Sequence, residues 1–159
     1  MKKLICVTLI VFGMVAFAFV PTPTTAAAEG GTVTGTSQGA FPAGTSLGPV
    51  ALDSLQLGTG VIIDSDNSAV GNFHSVLTGR SALGQPQEIT VEGNVSQGTV
   101  DENGTASFSG IATLDAGGGA PLQAGVPFSV TTTSGSLVLV IGSTTLPPAS
   151  LTGGSITIE

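Results

Sequence analysis

The chain has a single histidine, His74, so any histidine-dependent chemistry has one address. It stands in Asn72-Phe73-His74-Ser75, where a period of two puts it on the face opposite Phe73. Glu92 lies on the polar face of the next strand-like segment. A hairpin would let this carboxylate orient the imidazole as a general base. The bland alternative is a solvent-facing strand histidine, and it is preferred because a hydrolytic site also needs an activated nucleophile. No serine elbow is expected to follow a recognisable motif, and no Gly-x-Ser-x-Gly pattern is expected in the chain.

Asp64-Ser65-Asp66-Asn67 sets oxygen-bearing side chains within a turn, the ligand type that calcium takes. An EF-hand match then fails, because the sixth position is Ala69 and the twelfth is Ser75. Asp and Asn also favour turns through local hydrogen bonds, which explains this segment and Asp101-Glu102-Asn103 equally well. No metal or cofactor is expected, and no residue is assigned a catalytic role. Gly117-Gly118-Gly119 is no phosphate loop, having neither a lysine nor a following helix. Asn94-Val95-Ser96 and Asn103-Gly104-Thr105 would accept glycans only in a eukaryotic secretory pathway. Arg80 is the sole cation after Lys3 and is expected to pair with one of the ten carboxylates.

The N-terminus argues for export. Met1-Lys2-Lys3, a start of bacterial type, precedes an apolar run from Leu4 to Val20, then Pro21, Pro23 and Thr24-Thr25-Ala26-Ala27-Ala28-Glu29. These are the basic, apolar and small-residue parts of a secretory signal helix. Cleavage is expected after Ala28, with Ala26 and Ala28 as the required small residues. A retained anchor is the alternative, because a run of seventeen residues touches the lower limit of a spanning helix. The Pro-rich flank, without basic or aromatic anchors, favours removal. Cys6 falls inside the signal, so the mature chain has no disulfide and must be held by packing alone.

An acidic mature chain with one arginine repels phosphate backbones and anionic headgroups, which excludes nucleic acid and, for the mature form, the membrane surface. Mean hydropathy is positive (+0.49), against disorder. Period-two alternation dominates. In Ile89-Thr90-Val91-Glu92-Gly93-Asn94-Val95-Ser96, the apolar residues share one face, and Gly93 on that face predicts a bulge or a close crossing. Val100-Asp101-Glu102-Asn103-Gly104-Thr105 is a tight-turn signal, followed by alternation from Ala106 to Leu114, so a hairpin is predicted. Further strands are expected at Val50 to Leu57, Thr59 to Asp64 (separated by Gly58), Val70 to Thr78, Val126 to Val130, Leu137 to Ile141 and Ser155 to Glu159.

The expected organisation is a signal peptide at 1–28, a flexible Gly/Thr/Ser-rich lead-in at 29–47 and a single β-domain at 48–159. The fold class is all-β, an antiparallel sandwich or small closed barrel of roughly eight strands. Closure is slightly favoured because no lysine is available to blunt a sheet edge. The functional expectation is a secreted, periplasmic or extracellular, non-enzymatic domain with a structural or interaction role, through self-association or a protein partner. The alternative is a carrier with a barrel-interior pocket. Four mature Phe and no Trp leave little for stacking on sugars, so its ligand would be apolar.

Overall fold

The computed structural model describes residues 30–159, and every described strand pairing is antiparallel. The signal helix and its cleavage residues Ala26 and Ala28 lie outside the described residues. In chain order the strands are β1 (Gly31–Ala40), β2 (Ser46–Leu47), β3 (Val50–Ile63), β4 (Ser68–Arg80) and β5 (Pro86–Val100). They continue as β6 (Ala106–Asp115), β7 (Gln123–Thr132), β8 (Ser136–Ile141), β9 (Thr144–Thr145) and β10 (Ala149–Ile158). Long strands from β3 to β8 each pair with the next, β8 pairs with β10, and β1 pairs with both β10 and β3. The sheet therefore closes into a ring of eight long strands, with β2 and β9 as short additions. Of the two predicted architectures, the barrel is the one formed.

Register shows how the ring closes. Followed across the strands, Val33 leads through Val61, Gly71, Val95, Gly110, Phe128 and Ile141 to Thr144. On its other side Val33 faces Ile158, fourteen residues beyond Thr144 on the same segment. So large a stagger means steeply tilted strands and a wide lumen. Along that segment Thr144, Thr145, Ala149 and Ser150 pair with β8, the register shifting by one residue across Pro147 and Pro148, and Ser150 to Ile158 pair with β1.

The lumen is filled at its middle by side chains. Phe73 stacks on Phe128 with centroids 5.6 Å apart, and Phe108 tilts against Phe73 at 5.9 Å. Around them pack Leu55, Leu77, Val91, Val130 and Leu139, all buried. Gly93 is buried among these inward residues. A Cβ there would come 2.6 Å from ring carbons of Phe128, so the predicted close crossing is an aromatic ring seated on bare backbone. The bulge lies further on, between Val95 and Gln97.

The hairpin of β5 and β6 forms as predicted. Gly104 takes φ 74°, and the Asp101 carboxylate accepts from the N–H groups of Asn103 (2.9 Å) and Thr105 (2.8 Å). Thr105 in the first place, and Asn103 in the second, hold the Asp101 carboxyl below its ordinary value. In β8, Leu137, Leu139 and Ile141 face the core while Val138 and Val140 are half-buried on the outer face. Pro127 is tolerated inside β7 because the ladder to β8 starts one residue later, at Phe128.

Two expectations need correction. Residues 31–40 are a barrel strand paired on both sides, where a flexible lead-in was expected for 29–47. The inward positions of β1 are Val33, Gly35, Ser37 and Gly39, small residues that let β1 lie close to its neighbours, so no apolar alternation marks the strand. Gly58 likewise breaks nothing: β3 runs through it without interruption, because Thr36 on one side and His74 on the other hold its backbone in the ladder.

Alternating strand direction gives the barrel two unlike ends. Connections 41–49, 81–85, 116–122 and 142–143 gather at one end, and 64–67, 101–105 and 133–135 at the other. At this second end Thr32 and Glu159 exchange backbone hydrogen bonds of 2.7 and 3.0 Å. There the Thr132 hydroxyl also donates to the Ser136 carbonyl at 3.1 Å.

Candidate functional site: the open end of the barrel

At the first end, five of the long strands each bring an inward apolar residue close to a turn. These are Val50, Ile89, Leu114, Val126 and Ile141, joined by Leu47 from β2. Above the three-phenylalanine layer they bound a cavity of about 610 Å³, large enough for a small organic molecule. Its rim is polar and uncharged: Ser81, Gln87, Gln123, Ser143 and Thr144. None of the lining residues is ionisable.

One wall of this mouth is the 116–122 connection. Gly117, Gly118 and Gly119 all have positive φ (67°, 62° and 81°), a path that residues with a Cβ adopt only at a cost. Three hydrogen bonds fix the loop: Gly117 N–H to the Asp115 carboxylate at 2.8 Å, Ala120 N–H to the Gly117 carbonyl at 3.0 Å, and the Gln87 amide to the Ala116 carbonyl. The tips beside the mouth carry exposed leucines, Leu83 and Leu122.

The chemistry-bearing residues singled out by sequence lie elsewhere. His74 and Glu92 do stand directly opposite in register, but on the outer wall of the barrel and exposed. The neighbouring Ser75 points inward and is buried, so strand alternation keeps it from the imidazole. A depression of about 400 Å³ beside His74 forms over Gly58, lined also by Thr36, Ser37, Gln38, Gln56 and Val76, and the Ser37 hydroxyl is spent on the Gly153 carbonyl at 2.7 Å. Asp64 to Asn67 form a self-satisfied turn. Ser68 donates its hydroxyl to Asp64 (3.3 Å) and its N–H to Asp66 (2.9 Å), and Asn67 takes φ 68°. Ser68 holds the Asp66 carboxyl below its ordinary value. No group of three or more His, Cys, Asp or Glu suited to a metal occurs among the described residues. Arg80 donates to the Gly84 carbonyl at 3.3 Å, in place of the expected carboxylate partner.

Contrary to the expectation of none, two Gly-x-Ser-x-Gly pentapeptides have the spacing of a nucleophile elbow, Gly35-Thr36-Ser37-Gln38-Gly39 and Gly44-Thr45-Ser46-Leu47-Gly48. Neither is on a strand-to-helix turn. Ser37 is buried in β1 and donates to the Gly153 carbonyl at 2.7 Å, while Ser46 opens β2 opposite Ala51. On β3, Ala51 is seven residues from Gly58, the position opposite His74, so Ser46 is remote from the histidine. Ser37 lines the same depression as His74, but it lies on the buried face of β1 with its hydroxyl turned to the Gly153 carbonyl.

The mouth was not identified from sequence because its lining comes from four separate turns. A signal does exist: an inward apolar residue next to a Gly/Pro turn recurs at Gly48-Pro49-Val50, Leu114-Asp115-Ala116-Gly117 and Ile141-Gly142. Comparisons with family models, curated proteins and solved structures find no match to this chain. The site is therefore read from its own geometry.

Proposed function

We propose that this protein is a non-enzymatic binding protein that holds a small, largely apolar molecule in the mouth of its barrel, and that it works outside the cytoplasm on the strength of its leader. The carrying observation is the cavity of about 610 Å³ lined by Val50, Ile89, Leu114, Val126 and Ile141. A ligand seated there would shed water from apolar surface at about 25 cal/mol per Å², the ordinary driving force for such sites. Ring closure also favours this reading over strand-edge association, since the eight long strands each have partners on both sides. For the interaction role there remain the short β2 and β9 and the part of β10 beyond Leu151, whose ladder among the described residues is with β1 alone.

The test is native mass spectrometry of protein purified from its own host without detergent, alongside fluorescence of the neutral probe N-phenyl-1-naphthylamine. Val126 is half-buried at the rim, so Val126→Trp should fill the mouth without disturbing the phenylalanine layer. Probe enhancement in the wild type and its loss in Val126→Trp are expected. No enhancement in either protein, with no adduct in the spectrum, would refute the proposal.

A further inference from the structure

We infer that the mouth selects uncharged ligands and refuses carboxylates, so that its cargo is a neutral apolar molecule such as an alcohol, ester or isoprenoid in place of a fatty acid. This rests on the ligand-binding reading above and adds the chemical class of the ligand.

Three observations carry it. First, a carboxylate buried beside Leu114 and Ile141 would need a paired cation or several convergent donors, and the lining supplies no cation. Second, Arg80, the one cation among the described residues, lies on the outward alternation of β4 and donates to Gly84, so it does not face the cavity. Third, at the glycine loop on the rim the Gly117 N–H is already taken by the Asp115 carboxylate at 2.8 Å. An incoming anion would meet that carboxylate at close range. The wider field acts the same way, because the described chain sets nine carboxylates against one guanidinium. What the rim does offer is neutral hydrogen bonding. Gln123 is exposed and stands opposite Leu114 in register, where its amide can meet a hydroxyl or ester oxygen at the cavity entrance.

Displacement of N-phenyl-1-naphthylamine by 1-decanol and by decanoate at pH 8 tests this, because the two competitors share a tail and differ in charge. Decanol should displace the probe at a concentration at least tenfold below that of decanoate. Gln123→Lys changes an exposed rim residue outside the core. It should strengthen decanoate binding about tenfold, as a charge-assisted hydrogen bond supplies, and so bring decanoate close to parity with decanol. That gain should shrink in 0.5 M salt, as expected for a charge at the cavity entrance. Equal or tighter binding of decanoate by the wild type, or no gain in Gln123→Lys, overturns the selectivity and leaves the binding site standing. Failure of the probe to bind at all overturns both.

Discussion

Gly93→Ala is the substitution on which the account of the core can be tested most sharply, because two known effects oppose each other there. Gly93 has no positive φ, so alanine fits its backbone. Entropy of the unfolded chain alone would then favour the variant by about 0.4–1 kcal/mol. Against that, the new methyl would come 2.6 Å from ring carbons of Phe128, a ring held by its stack on Phe73. Overpacking of this kind costs about 1–3 kcal/mol. The net expectation is destabilisation by about 1–2 kcal/mol, a fall in Tm of roughly 3–10 °C for a domain of this size. Gly60→Ala supplies the control. Gly60 has no positive φ and no atom within 4 Å of its would-be Cβ, so alanine there should raise stability by about 0.4–1 kcal/mol. Urea unfolding followed by circular dichroism gives both numbers. In a double-mutant cycle, Phe128→Leu should relieve at least 0.5 kcal/mol of the Gly93→Ala penalty. A Gly93→Ala protein as stable as the wild type, or additivity in that cycle, would refute the packing described for the barrel interior.

Ser75→Ala should leave stability unchanged or raise it by up to about 1 kcal/mol, since the buried Ser75 hydroxyl has no hydrogen-bond partner; chemical denaturation checks this, and a loss above 1 kcal/mol would mean that the hydroxyl is satisfied. Asn67→Ala should cost about 1–2 kcal/mol through the positive φ at that residue, while Asn67→Gly should be close to neutral by thermal melting. The Asp101 carboxyl is held below its usual value of 3.8 by the Thr105 and Asn103 N–H groups, so its contribution is complete above that value and is lost as pH falls through the lower folded one. Amide exchange at Asn103 and Thr105 should accordingly accelerate relative to neighbouring strands at low pH, and a uniform response across the hairpin would contradict this. His74→Ala should shift stability by no more than about 0.5 kcal/mol, since the imidazole is exposed on the outer wall.

How much of this was legible in the sequence depends on where each strand buries its bulk. Val91, Phe108 and Leu114 alternate cleanly with polar residues and are followed or preceded by turn residues of known geometry, so the β5–β6 hairpin could be read directly. β1 could not. A Cβ at Gly35 would strike the Ser155 carbonyl and one at Gly39 would reach the Ser150 carbonyl at 3.0 Å, so close strand approach demands small inward residues that look like linker composition. Closure of the ring was argued from the missing lysines, a general point about edges, and no local pattern in residues 31–40 announced the strand that performs it. The mouth was hidden for a different reason. Each of its walls contributes one ordinary apolar residue beside a turn, and only the staggered register brings Val50, Ile89, Leu114 and Ile141 round one opening.

The backbone pair between Thr32 and Glu159 fixes how this molecule can be mounted. Both chain directions meet behind the phenylalanine layer, on the side away from Leu47, Gly117 and Ser143. A surface, a tag or a neighbouring domain joined next to Thr32 or Glu159 would thus sit at the base of a cup whose opening faces free solution. For the same reason, Thr32 and Glu159 could be joined by a short linker and the chain reopened at the exposed Leu83-Gly84 tip without cutting a strand.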